Sequence, residues 1–311
     1  LHQPTAFYFY KSPSNHNWQP LFMPRPPEQL GSLRLVRQLG VGRKCQIWEA
    51  SDESQSKRVA VKLASPEFAS DKDIRQLLKH ELFVSRSLDH SGIIRIDRYS
   101  TTGRLPHLVM ELFRHPNLKM HLASKAESIP AQAQSIAQKA ADAMSHLHAN
   151  RWVHRDIKPE NILIDDSGDV RLIDLAIAAR PPSFLSRLVP IKVTVQGSPS
   201  YMSPEQIRGH RVGYAGDIYS FGCLLYELVT GHPPYTGSTQ QELLSKHLYT
   251  SPPFASAMNP SVTPQLDRFI RDLLAKQTKE RPSSMVEVAA HLRNAPFLTP
   301  QGRSAASRKA D

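Results

Sequence analysis

The densest run of reactive side chains is Val153-His154-Arg155-Asp156-Ile157-Lys158-Pro159-Glu160-Asn161-Ile162-Leu163-Ile164. Two apolar, strand-like ends flank a polar loop that carries Asp, Lys and Asn at fixed spacing. Thirteen residues after Asn161 comes Asp174, in Val170-Arg171-Leu172-Ile173-Asp174-Leu175-Ala176. That puts a second carboxylate at the end of a neighbouring short strand. Asn and Asp oxygens suit a hard cation such as Mg²⁺. Asp156 beside Lys158 suits orientation of a hydroxyl and neutralisation of phosphate charge. A polar turn between two strands is the simple alternative for this loop taken alone. Its agreement with other segments of the chain argues against that alternative.

Two compositional zones must position these groups. From about 33 to 112 short β-type runs dominate: Leu33-Val36, Cys45-Ala50, Arg58-Leu63, Ile93-Tyr99 and His107-Met110. Between them Ile74 to Leu88 carries Leu77, Leu78, Glu81, Leu82, Val84 and Leu88 at helical spacing. From about 116 onward helices dominate. Ala131 to Leu147 is long and Ala-rich, with Pro130 at its start. Ile218 to Leu228 is almost wholly apolar and predicts a buried helix. Glu242-Leu248, Pro264-Leu274 and Ser284-Leu292 are amphipathic. The pattern predicts an α+β chain, a small β-rich lobe followed by a larger helical one. Residues 1–30 stand apart: six prolines forbid a long helix, and six aromatics among Phe7, Tyr8, Phe9, Tyr10, Trp18 and Phe22 suggest an irregular arm docked on the domain. A remnant of an upstream domain is the competing idea. Residues 299–311 read as a flexible basic tail.

The 311 residues, 40 % hydrophobic and 22 % charged, exclude a collagen, a coiled coil and a fully disordered chain. No apolar run reaches the ~18–20 residues of a membrane helix, and Leu1–Tyr10 lacks the pattern of a secretory signal. The chain begins with Leu1, so a fragment, a processed chain or a non-standard start is expected. Two cysteines, Cys45 and Cys223, rule out a disulfide framework and a four-thiolate metal site. They suit a reducing, cytoplasmic setting. Lys and Arg outnumber Asp and Glu by 39 to 28, a net charge of +11. The excess is spread without a basic block or nucleic-acid motif. It reads as a diffusely basic surface, and no nucleic-acid partner is expected.

In this order the segments resemble the eukaryotic-type protein kinases of the Ser/Thr class, in bacterial style, over about 33 to 295. The resemblance implies a bilobal protein-kinase-like fold over 31–298. Its small antiparallel β lobe with one main helix would span 31–113, and its larger helical lobe 114–298. It implies that Asp156 accepts or orients the substrate hydroxyl proton, assisted by Lys158, and that Asn161 and Asp174 hold Mg²⁺. Leu39-Gly40-Val41-Gly42-Arg43-Lys44-Cys45-Gln46-Ile47 resembles the glycine-rich hairpin over the ATP phosphates, where glycine lets backbone amides approach. Lys62, in Val59-Ala60-Val61-Lys62, resembles the lysine of the α- and β-phosphates, paired with Glu81. Met110, Glu111 and Phe113 resemble the strand and hinge at the adenine edge. Ala60 and Leu163 would sandwich the ring. Leu39, Gly40, Gly42, Ile47 and Asn117 complete the implied nucleotide set. For the apolar members, core packing explains the residue type almost as well.

Gly197-Ser198-Pro199-Ser200-Tyr201-Met202-Ser203-Pro204-Glu205 resembles the end of an activation segment, with Glu205 expected to pair with Arg281. Asp217 resembles the helix residue that braces the catalytic loop. Arg180, Arg187 and Lys192 make the preceding loop cationic. Thr194 occupies a position phosphorylated in many relatives, and Arg155 could receive that phosphate. An ordinary loop residue is the equal alternative there. Ser198 and Ser200 are lesser candidates. Two departures stand out: Cys45 replaces the third glycine of the phosphate loop, and Leu175-Ala176 replaces Phe-Gly after Asp174. A positive φ at residue 176 would make Ala176 costly by about 1 kcal/mol. The implied activity is transfer of the γ-phosphoryl of ATP to Ser or Thr hydroxyls of a protein substrate, with self-phosphorylation at Thr194. A nucleotide-binding pseudokinase scaffold and a small-molecule kinase remain open on sequence alone.

Overall fold

A computed structural model of the chain describes residues 9–11, 18–20, 26–124, 126, 128–182 and 197–299. They fall into two compact units, one drawn from Leu1–Leu82 and Arg95–Leu112, the other from Phe83–Ile94 and Phe113–Asp311.

In the first unit, β1 (Phe9–Lys11) pairs antiparallel with β2 (Trp18–Pro20), where the composition had suggested only an irregular arm. The remainder of the arm up to Arg25, and the tail from Pro300, lie outside the described residues. A six-stranded antiparallel sheet follows. It consists of β3 (Gln29–Leu30), β4 (Leu33–Val41), β5 (Cys45–Asp52), β6 (Lys57–Ala64), β7 (Ile96–Ser100) and β8 (His107–Met110). Their order is β3-β4-β5-β6-β8-β7. The sheet curls. Asp52 at the end of β5 accepts from Arg98 of β7 at 2.7 Å, although β6 and β8 intervene in the order.

Alternation along β6 decides what each face meets. Val59, Val61 and Leu63 join a core with Leu30, Leu33 and Val109. Ala60 and Ala64 face the other way, onto Ile74, Leu78 and Leu82 of α1 (Lys72–Ser85). Lys62 lies between those two alanines and therefore faces α1. The strand expected from Ile93 begins only at Ile96. Ile94 instead donates to Leu172 O, and Ile93 bridges Leu172 within the second unit.

The second unit is helical around one large core. It contains α2 (Leu118–Ala123), α3 (Ser128–Ala149), β9 (Ile162–Ile164), β10 (Val170–Leu172), α4 (Pro204–Ile207) and α5 (Tyr214–Thr230). It ends with α6 (Gln240–Tyr249), α7 (Pro264–Leu273) and α8 (Met285–Asn294). Side-chain oxygens of Ser203, Thr239, Thr263 and Ser284 accept the orphan amides at the starts of α4, α6, α7 and α8. Helix α5 is buried from Gly216 to Val229, as its composition predicts. It touches α7 at Gly222, where a Cβ would stand 2.8 Å from Leu273 Cβ. Among the described residues no helix is long and apolar enough to cross a membrane.

Candidate active site

Each unit contributes its own set of groups. In the first, Glu81 lies on the buried stripe of α1, three residues after Leu78 and seven after Ile74. A carboxylate there faces β6. Lys62 Nζ donates to Glu81 Oε2 at 2.7 Å, with Glu81 fully withdrawn from water. Lys62 pairs in register with Ile47 and with Leu108, and Ala60 with Met110. The glycine-bearing hairpin is real: Gly40 opposes Ile47, and Gly42 donates to Cys45 O at 2.8 Å. Leu39 sits at a register shift between Gln38 and Gly40. Met110 is buried against α1's apolar face. Glu111 donates its N–H to Arg95 O, which fixes the strand's end. Cys45 opens β5 opposite Ala64 and packs on the same apolar cluster, as a small strand residue does.

In the second unit the loop between α3 and β9 is built on Asp217 of α5. Its carboxylate accepts from the consecutive amides of His154 (2.7 Å) and Arg155 (2.8 Å), and from His148 Nε2 at 2.9 Å. Burial opposes the charge on Asp217. The His148 hydrogen bond and the neighbouring histidines outweigh it and hold the carboxyl below its ordinary range. Fixing two successive amides forces the turn: Arg155 adopts φ +72°. Burial lowers the pKa of Arg155, against the pull of Asp217.

Asp156 follows directly and is the convergence point. Its Oδ2 accepts from Lys158 Nζ at 2.6 Å and Asn161 Nδ2 at 3.3 Å. Its Oδ1 accepts from Ser198 N at 3.0 Å and Ser198 Oγ at 3.1 Å. Lys158 also donates to Ser198 Oγ at 2.7 Å. The sequence alone marks Ser198 only as a phosphorylation candidate. Its side chain instead closes a ring with the carboxylate and the lysine. Forty residues separate Ser198 from Lys158, so no local pattern could reveal the contact. His148 is likewise not legible from the sequence, being one of several polar residues along its helix.

Asn161 ends a 3₁₀ turn, Pro159–Asn161, and is buried. Its Nδ2 donates to Asp156 O at 2.8 Å, which turns Oδ1 into the atom suited to a cation. Ile173 N donates to Asn161 O at 3.0 Å, and Ile173 O meets His154 Nε2 at 3.1 Å. The residue before Asp174 is thus pinned at both ends to the loop. Asp174 itself takes φ +66°, uncommon for a residue with a Cβ. Ala176 is absent from the left-handed region, so the substitution for glycine carries no backbone strain of that kind. Leu175 is fully buried in the core.

Three implied nucleotide residues also sit in this unit's frame. Leu163 pairs with Arg171 and bridges Asn117. Asn117 is the N-cap of α2, its Oδ1 accepting from Met120 N at 2.9 Å. Phe113 packs against His115 with the rings tilted at 59° and lies under the Arg171 guanidinium. The expected Glu205–Arg281 pair forms in full, at 2.8 and 3.0 Å. Arg180 is engaged too, donating to Asn150 O and Arg151 O and lying 3.8 Å over Trp152. Thr194, Arg187 and Lys192 lie outside the described residues.

Comparison with known proteins agrees with this geometry. The protein kinase domain model matches residues 33–298. The chain is 31 % identical over 265 residues to the serine/threonine-protein kinase PrkC of Bacillus subtilis, covering 85 % of this chain and 40 % of PrkC. It is 33 % identical over 274 residues to PknD of Mycobacterium tuberculosis, covering 86 % of this chain and 40 % of PknD. It is 33 % identical over 258 residues to PknA of the same species, covering 81 % and 58 % respectively. The chain thus spans about two fifths of the length of PrkC and PknD. The α+β fold and the ordered motifs have one common explanation: this chain belongs to the protein kinase family, with the eukaryotic-like Ser/Thr kinases.

Proposed function

We propose that the chain transfers the γ-phosphoryl group of ATP to serine or threonine hydroxyls of a protein substrate. The observation that carries the reading is the convergence on Asp156, where a carboxylate, the Lys158 ammonium and a serine hydroxyl meet within 3.1 Å. A carboxylate that already accepts from one hydroxyl has the chemistry to orient another and to take its proton. Lys158 would offset charge developing on the transferred group. Lys62, held by Glu81, would take the α- and β-phosphates. The nucleotide set would be Leu39, Gly40, Gly42, Ile47, Ala60, Met110, Glu111, Phe113, Asn117 and Leu163.

Mg²⁺ suits the donor set. Asp174 offers a carboxylate and Asn161 an amide oxygen, both hard ligands. No group of three His, Cys, Asp or Glu side chains able to hold a metal exists among the described residues. Mg²⁺ typically needs none, since phosphates and water complete its shell. When bound it supplies charge neutralisation.

Regulation by phosphorylation at Thr194 belongs to the same reading. Among the described residues Arg155 Nε is buried without a hydrogen-bond partner, which supports a role in receiving a phosphate. Cys45 and Cys223, neither in a disulfide, support a cytoplasmic setting. The scaffold alternative rests on Ala176 and Cys45; the ordinary backbone of Ala176 and the strand packing of Cys45 favour the active reading. The test is transfer of labelled γ-phosphate with Mg²⁺, to the chain itself and to a basic protein, beside Asp156→Asn. Incorporation by the parent alone supports the proposal. No incorporation by a folded, ATP-binding parent moves the reading to the scaffold.

A further inference from the structure

We propose that Gln206 is a positioning residue for the phosphoryl-transfer loop, an inference that rests on the activity proposed above. Gln206 is 5 % exposed and follows Glu205, whose carboxylate is locked to Arg281. Its main chain is therefore fixed. Its Nε2 donates to Arg155 O at 3.0 Å. Asp217 holds the N–H of the same residue. The left-handed Arg155, immediately before Asp156, is thus gripped at its amide by α5 and at its carbonyl by α4.

The same amide supports a second strand of chain. Gly197 takes φ +115° and lies against it: a Cβ on Gly197 would stand 2.8 Å from Gln206 Nε2 and 3.2 Å from Arg155 O. Ser198 follows, with its N–H and hydroxyl both on Asp156 Oδ1. One buried carboxamide therefore sets the spacing between the residue that precedes Asp156 and the residue that precedes Ser198. Gln206 touches none of the reacting groups. It acts through Arg155 and Gly197 on the direction of the Asp156 carboxylate. Without its N–H, Arg155 O loses a buried donor, and the Gly197–Ser198 turn loses the surface it lies on.

Gln206→Glu and Gln206→Leu test this. Glutamate has the same shape but, when ionised, sets an oxygen against Arg155 O. When protonated it donates again. In steady-state kinetics Gln206→Leu is expected to lower kcat about tenfold, the effect of losing one buried hydrogen bond. The KM for ATP should stay within about twofold. Gln206→Glu should be as slow at pH 8, and its kcat relative to the parent should climb as pH falls toward 5, a recovery Gln206→Leu lacks. A kcat for Gln206→Leu within about twofold of the parent, or a Gln206→Glu ratio that stays flat with pH, overturns the proposal. Should the parent itself transfer no phosphate, the activity reading fails. Amide exchange over 197–203 then decides for Gln206 separately: faster exchange in folded Gln206→Leu supports the role, and unchanged exchange overturns it.

Discussion

Arg281 lays Nη1 and Nη2 on the two carboxylate oxygens of Glu205, at 2.8 and 3.0 Å, with its side chain completely out of water. The same guanidinium donates to Ala275 O, Ala215 O and Lys276 O. Its hydrogen-bonding capacity is thereby met, which is the condition for a buried cation to be tolerated. The pair ties α4, and with it the turn that reaches Asp156, to the stretch after α7. Removing one partner strands the other. Arg281→Met is expected to destabilise the fold by about 3–5 kcal/mol, and Glu205→Leu with Arg281→Met by much less. Urea unfolding of the two variants beside the parent checks this. Equal losses in the single and double variants would count against it.

The Lys62–Glu81 pair separates stability from chemistry. Lys62→Met leaves Glu81 without its cation in a buried position, so both stability and transfer should fall. Adding Glu81→Leu removes the stranded carboxylate and should restore much of the stability. It cannot restore a phosphate contact, so transfer should stay down by about 10²-fold or more. Thermal unfolding and labelled-phosphate transfer on the same preparations check both halves. Activity returning with stability would show that Lys62 is only structural.

Ala176 offers a prediction in the opposite direction. Its φ is not positive, so glycine relieves nothing there. Ala176→Gly should cost about 0.4–1 kcal/mol through the entropy of the unfolded chain. The transfer rate should stay within about twofold of the parent. A large gain in rate would mean that the alanine holds Asp174 away from its working position.

These cases show what the sequence could and could not disclose. Asp156, Asn161 and Asp174 were legible because their spacing is set by a short loop and two short strands. Lys62 and Glu81 were legible because each sits on a periodic apolar pattern, one of period two and one of period 3.6. The buried run 218–228 and the amphipathic helices were legible for the same reason. Ser198, His148 and Gln206 were not. Their contacts join segments 40 to 69 residues apart and depend on tertiary placement. The strand start at Ile96 was misjudged because Ile93 and Ile94 have the right side chains but pair with Leu172 instead. Asn117 shows a further limit: an amide assigned to nucleotide by its position also caps a helix.

Acid sensitivity should centre on His247. This ring is fully buried, and its Nδ1 lies 2.9 Å from the Tyr219 hydroxyl. Tyr235 packs edge-on at 4.9 Å, and Lys276 donates to His247 O at 2.9 Å. Burial, reinforced by the charge of Lys276, lowers the His247 pKa from 6.5 to about 4. Above pH 6.5 both folded and unfolded chains carry a neutral ring, and the full stability is present. As pH falls below 6.5 the unfolded chain takes up a proton that the folded chain refuses until about pH 4. Stability therefore drops across that window, by roughly 3 kcal/mol in total at ~1.4 kcal/mol per pH unit. His90, His107 and His291 are lowered by burial as well, so a slope should survive when His247 is replaced. His247→Asn should make it shallower by up to about 1.4 kcal/mol per pH unit, whatever its absolute stability. Urea unfolding at pH 7, 6, 5 and 4.5, read as the difference in slope between parent and variant, is the measurement. Parallel curves would show that His247 is not the group that takes up the proton.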